Sequence, residues 1–293
     1  MKNTLIGLHA QTSIHAGTGQ NTGTIDLPIQ RESHSAYPCI YGSSMKGALR
    51  ACAQQRKLKN INDLFGPEST DIGYAGALLI SDARLLLLPI RSLTTQFRWV
   101  TCPAILQRLK QDSERFDNKF EFDVPSINND NNNDNYVMID KNSDKSEKLY
   151  LEEYCFNAIA LKSEGLVKVL AQFIQFDDAE SLLKKQLAII SNDDFTYLAK
   201  NATPVRARNV LTPEKTSKNL WYEESLPPET IMYMGVSADN VRQKDSAIKA
   251  DKILDDFHGL FTKNKWLQVG GNETVGMGWF AVKEINNTED GGI

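Results

Sequence analysis

The sequence predicts an α+β fold with a ferredoxin-like core and insertions. Three observations carry this. Strand-like and helix-like segments interleave in a β-α-β-β-α-β-like order. One long acidic, Asn-rich stretch interrupts that order, and a glycine-dense segment separates the last two strands. A chain of 293 residues with 41% hydrophobic content can bury a substantial core, as one large domain or two small ones.

Asn3 to Thr12 alternates weakly between apolar and polar residues and reads as a strand. His15 to Asp26 is rich in Gly and Thr and reads as a flexible loop carrying one carboxylate, Asp26. Tyr37 to Tyr41 leads into Gly42-Ser43-Ser44, where a serine can cap a helix. Met45, Leu49 and Cys52 then recur at helical spacing and should face the core, with Lys46 and Arg50 together on another face. Ala77 to Ile90 reads as a buried strand or pair of strands, and Pro103 to Gln111 as a helix with Pro in its first turn. The segment at about 112–148 is too polar to join a core and reads as a partly mobile acidic insertion. Leu149 to Leu161 alternates as a strand, and helical periodicity follows to about Ala188. Thr230 to Val236 is strand-like, and Ile248, Leu254, Phe257 and Phe261 mark an amphipathic helix. Trp266 to Val269 and Trp279 to Ile285 read as strands flanking GGNETVGMG, whose Gly270, Gly271, Gly276 and Gly278 permit close backbone approach to a ligand. From Asn286 the chain reads as frayed.

Charge is uneven. The whole chain carries −4, yet residues 1–62 hold seven cations against Asp26 and Glu32 alone. Such asymmetry gives a basic surface suited to a phosphate backbone. Arg56, Lys57 and Lys59 fit an ordinary solvated helix face equally well. The helix start at Gly42 adds free N–H groups and a dipole that favour phosphate, with Lys46 and Arg50 supplying charge-assisted contacts. Neither glycine cluster is followed by Lys and Ser/Thr, so the P-loop pattern fails. Gly17, Gly19 and Gly23 are spaced one residue too widely for a dinucleotide fingerprint. These loops fit an extended polymer better than a mononucleotide. Four scattered cysteines without a CxxC pair and four scattered histidines argue against zinc. No apolar run approaches the ~20 residues of a membrane span, and no export signal is visible, so the expectation is a cytoplasmic protein with reduced thiols.

Four segments, HAGTGQNTGTIDLPIQRE, GSSMKGALR, LWYEE and VGGNETVGMGWF, together resemble the RAMP-superfamily backbone subunit of type III-B (Cmr) CRISPR effector complexes. The resemblance spans nearly the whole chain except the Asn-rich insertion. It implies a single RRM-like RAMP domain over residues 1–293, with the insertion at about 112–148, a thumb hairpin at about 203–222 and the glycine loop at 270–278. It further implies several copies of the chain stacked in a filament along one guide RNA, beside other Cmr subunits, and regular metal-dependent cutting of the paired target RNA. Ser43, Ser44, Lys46 and Arg50 match the family's guide-binding helix start. Arg206, Arg208, Lys215 and Lys218 make the thumb basic, while its tip carries Pro213 and no glycine, which leaves the turn type open. Asp26 matches the catalytic acid, as ligand of a divalent ion (Mg²⁺ or Mn²⁺) or as the group orienting the target's 2′-hydroxyl. His15, Glu223 and Glu224 are further candidates. Each has a plainer reading, a structural histidine and strand-end carboxylates paired with a cation. The acids of the insertion are given no site role. Two alternatives stand beside cleavage: a non-catalytic guide-binding scaffold and an endonuclease that processes precursor guide RNA.

Overall fold

The structure is a computed structural model that describes residues 1–68, 73–127, 135–163, 165–243 and 246–285. The centre of the Asn-rich run and the tail read as frayed lie outside the described residues. The described chain is a mixed α/β protein built around a twelve-stranded sheet, with the hairpin Val205–Leu211 and Ser217–Glu224 standing apart as a two-stranded sheet.

At the centre of the large sheet, strand Lys2–Ala10 lies between strands Ile231–Ala238 and Trp279–Ile285, antiparallel to both. Ile231–Ala238 in turn pairs antiparallel with Leu78–Ile80 and Ala83–Ser92. The two faces of this sheet fill different cores, as strand alternation requires. Leu5, Ile231 and Tyr233 join one cluster, with Leu85, Leu87 and Trp99. Ile6, Leu8, Met232 and Met234 join the other, against Met45 and Leu49 of helix Gly42–Gln55 and Ile253 and Phe257 of helix Ala250–Thr262. Every residue of Ile231–Ala238 is therefore buried. Among the described residues no helix is long and apolar enough to cross a membrane.

Several sequence expectations are corrected. Leu149–Leu161 is two antiparallel strands, Lys148–Leu151 and Tyr154–Ala160, because Glu152 takes a left-handed φ of 50° and turns the chain without glycine. The helical run toward Ala188 is two helices, Leu166–Ala171 and Ala179–Gln186, ended by strand Leu187–Ile190. The segment 112–127 is no solvent loop: Phe116, Phe120, Phe122 and Ile127 are buried, the phenylalanines in the main core. Strand Tyr136–Ile139 then joins the sheet. Asp144, an insertion acid expected to lack a scaffold, is salt-bridged to the fully buried Arg98. Burial opposes its charge, but hydrogen bonds from Ser146 and Arg98 hold its carboxyl below the usual carboxylate range.

Candidate RNA-cleavage and guide-binding site

The Gly/Thr-rich loop is not free chain. Gly17 and Ile29 form a bridge, Thr18 donates to the Pro28 carbonyl at 3.1 Å, and Gln30 donates to that of Ala16 at 2.8 Å. The resulting lobe folds back on itself and presents Asp26 near its tip, where the Asn21 amide donates to the Asp26 carbonyl at 2.9 Å. The lobe docks on the returning strand of the hairpin. Leu27 donates to the Tyr222 carbonyl at 3.0 Å, and Glu224 donates to the Leu27 carbonyl at 3.0 Å. The Asp26 carboxylate is fixed by the same strand, since the Tyr222 amide donates to Oδ2 at 2.7 Å. It opens on a cleft of 390 Å³ lined by Gln20, Asn21, Leu27, Asn219, Leu220 and Trp221.

His15 is buried and bonds through Nδ1 to the Glu224 carbonyl at 2.7 Å. A carbonyl oxygen only accepts, so Nδ1 is the donor in this bond. Tyr222 and Glu224 are two residues apart on one strand, so the acid and the imidazole are anchored about 7 Å apart along it. The C-terminal glycine loop closes over His15 from the other side. Gly271 donates to the His15 carbonyl at 2.9 Å. A Cβ on Gly270, whose φ is +88°, would come within 2.4 Å of that same oxygen. A Cβ on Gly278 would likewise come within 2.5 Å of the Val269 carbonyl, whereas one on Gly276 would meet open space.

The two glutamates at the base of the hairpin are engaged within the protein. Glu224 is 2% exposed and accepts from the Ile29 amide at 3.0 Å, from Thr203 at 2.6 Å and from the Arg31 guanidinium. Glu223 accepts from Arg208 at 3.1 Å and from Asn272 at 2.7 Å, tying the hairpin to the glycine loop. Arg206 is exposed and sits in register with Glu223 across the hairpin.

At the helix start, the expected serine cap is replaced. Tyr41 is the N-cap and makes no side-chain cap bond, while Ser43 and Ser44 lie inside the first turn. Gly42 is required by close approach, since a Cβ there would meet the Ile80 carbonyl at 2.7 Å. Its amide already serves an anion, donating to Asp82 Oδ1 at 2.6 Å. Lys46 makes no hydrogen bond or ion pair among the described residues and is partly exposed. Arg50 instead donates to the Gly66 carbonyl, to Asn62 at 3.2 Å and to Glu68 at 3.3 Å. Arg56 also turns inward, to the carbonyls of Leu260 and Trp266.

Gln30 is the residue that sequence reasoning passed over. Its buried amide group donates to the Gly17 carbonyl at 3.1 Å and to Ser44 Oγ at 3.0 Å, and its oxygen accepts from the Tyr41 amide at 2.6 Å. One side chain thus joins the Asp26 lobe to the helix start. Its only signal was its place at the end of the lobe motif.

A family model described as the RAMP superfamily matches residues 8–281. The chain belongs to the RAMP superfamily. This RAMP chain is 34% identical, over 98% of both sequences, to the CRISPR system Cmr endoribonuclease Cmr4 of Pyrococcus furiosus. It is 24% identical over 96% of both to the CRISPR system CMR subunit Cmr4 of Saccharolobus solfataricus. Among solved structures, oligomeric Cmr4 from Pyrococcus furiosus superposes with a TM-score of 0.73 at 29% identity, covering 98% of this RAMP chain and 100% of that one. The type III-B Cmr-beta complex bound to cognate target RNA contains a chain of the same fold, with a TM-score of 0.73 at 20% identity over 97% of both.

Proposed function

We propose that this RAMP chain is a backbone subunit of a type III-B CRISPR ribonucleoprotein, binding guide RNA along a filament of its own copies and cutting the complementary target at regular intervals. The observation that carries the reading is the seat of Asp26, a partly exposed carboxylate held by a thumb amide at the mouth of a cleft. The Pyrococcus furiosus relative is named as an endoribonuclease, and its solved form is oligomeric. A ferredoxin-like, RRM-like core is supported by four antiparallel strands with helices Gly42–Gln55 and Ala250–Thr262 packed on one face. One domain spans residues 1–293. Unpaired thiols at Cys39, Cys52, Cys102 and Cys155 fit a cytoplasmic location.

The guide lies along the helix start and the C-terminal glycine loop, with Lys46, Ser43 and Ser44 facing its phosphates and Arg206 reaching from the thumb. Arg50 and Arg208 act chiefly through the protein, bracing the helix and the thumb base. Gly270, Gly271 and Gly278 give the glycine loop its shape, and Gly276 is its open point of approach. The thumb displaces a target nucleotide, so that the neighbouring 2′-hydroxyl attacks its phosphorus in line and the 5′-oxygen departs, leaving a cyclic phosphate. Asp26, with Oδ2 held by Tyr222, turns Oδ1 to the attacking hydroxyl and takes its proton. His15 sets the lobe against the thumb, and Glu223 and Glu224 position that junction. No three ligating side chains converge among the described residues. A Mg²⁺ or Mn²⁺ ion would therefore share the single Asp26 carboxylate with phosphate oxygens and water.

The test is Asp26→Asn in the complex reconstituted with guide and complementary RNA. Assembly and guide binding are expected to persist, while cleavage at every site falls by about 10²-fold or more. Undiminished cleavage would remove Asp26 from the chemistry. Cleavage that survives chelation would remove the metal alone. A wild-type complex that binds target without cutting it would favour the scaffold, and one that trims precursor guide would favour the processing enzyme.

A further inference from the structure

A basic recess with an exposed aromatic lies outside the site described above. It is a cleft of 730 Å³ between the end of helix Ala250–Thr262 and the last strand, lined by Lys263, Asn264, Lys265, Trp266, Lys283 and Gln175 among others. Lys263 and Lys265 are exposed, and Trp266 is 40% exposed although it begins a strand of the main sheet. The Lys265 ammonium stands 5.4 Å from the Trp266 ring centroid. Lys283 is held deeper, donating to the Ile174 carbonyl at 2.9 Å and the Ala171 carbonyl at 3.4 Å.

The charges in this recess are not balanced locally. Its lining holds three lysines and one acid, Glu284, which lies 2.8 Å from His258. Asp177 lies near Lys283 and favours its charge, but burial together with the neighbouring Lys265 outweighs it and holds the Lys283 amine below the usual lysine range. Three lysines around one cleft, two of them repelling each other, are relieved by an incoming anion. An exposed indole at its rim supplies what a bare phosphate site does not need, a flat face for a base. The strand from Trp266 runs directly to the glycine loop at Gly270, about 13 Å of chain.

We infer that the cleft between Lys263, Lys265, Lys283 and Trp266 is a second contact for single-stranded RNA, in which a base stacks on Trp266 while the lysines take the adjoining phosphates. It rests on the guide-binding reading and extends it to a surface reached along the strand leading out of the glycine loop.

The probe is a 4-thiouridine-substituted single-stranded RNA crosslinked to the full chain, with crosslinks mapped by mass spectrometry and affinity measured across a salt series. Crosslinks are expected at Trp266 in addition to the glycine loop and the thumb. Lys263→Glu with Lys265→Glu should flatten the salt dependence by about 1.4 in log–log slope, two lysines at roughly 0.7 each. Trp266→Ala should weaken binding about tenfold, and Trp266→Tyr should restore most of it. RNA that crosslinks to the thumb and glycine loop but not to Trp266, with unchanged salt slope in the double variant, overturns this inference and leaves the guide-binding reading standing. Absence of RNA binding anywhere overturns both. An oligoglutamate that binds the cleft while RNA does not would assign it to an acidic protein and also overturn the inference.

Discussion

A single carboxylate can be chemical or architectural, and its partners decide which. Asp26 has one oxygen bonded to an amide and faces a cleft, whereas Glu224 is saturated by Arg31, Thr203 and Ile29. In sequence both are acids near glycine-rich or basic segments, and neither shows which partners it meets after folding. Glu224→Ala should therefore act on stability, leaving the Arg31 charge without its carboxylate at a cost of about 3–5 kcal/mol in urea unfolding. A loss below about 1 kcal/mol would show that the junction relaxes around the missing group. Asp26 stood out from sequence as the lone acid of its loop. The roles of Gln30 and Arg50 did not, because each depends on which carbonyl a long side chain reaches after folding.

Elements were legible where the chain announced its own turns. Pro103 opens helix Pro103–Arg115 at its first position, and Met45, Leu49 and Cys52 sit on the buried stripe of helix Gly42–Gln55 as their spacing requires. Helix Ile61–Phe65, at five residues, is too short to show a period. The hairpin of strands Val205–Leu211 and Ser217–Glu224 is the instructive case. Its turn closes with a Lys215 amide bonded to the Thr212 carbonyl at 2.9 Å and the Thr212 amide bonded to the Thr216 carbonyl at 2.8 Å. Lys215 takes the left-handed conformation at φ 62°, the place where a glycine was missing. Pro213 supplies the preset φ at the second turn position. Lys215→Gly should relieve backbone strain of about 1 kcal/mol and slow hydrogen exchange of the hairpin amides. Faster exchange would mean that glycine's extra freedom outweighs the strain.

Across the whole molecule, the insertion and the lobe are each pinned by a paired carboxylate. Glu32 accepts from Arg108 at 2.7 and 2.8 Å, as Asp144 does from Arg98. Burial opposes ionisation of Glu32, yet hydrogen bonds from Ser35 and Arg108 hold its carboxyl below the usual carboxylate range. Both acids thus sit below their unfolded values, so their stabilisation is complete above the unfolded range and lost as pH falls through the folded one. Thermal unfolding is expected to shift downward as pH falls below the ordinary carboxylate range, and Glu32→Gln with Asp144→Asn should flatten that dependence. An unchanged slope would place the acid-sensitive groups elsewhere. The polar average of residues 112–148 concealed this arrangement, because the buried Phe116, Phe120, Phe122, Ile127, Val137 and Ile139, with the ion pairs of Asp112 and Asp144, are enough to anchor a segment whose composition is otherwise that of solvent-exposed chain.

The bond from the Tyr222 amide to Asp26 has a consequence for descent with modification. A peptide N–H is offered by every residue except proline, so the seat of the carboxylate does not depend on which side chain stands at position 222. The side chain at position 222 can therefore be exchanged while the acid keeps its place. Only proline at 222 would be purged on this account.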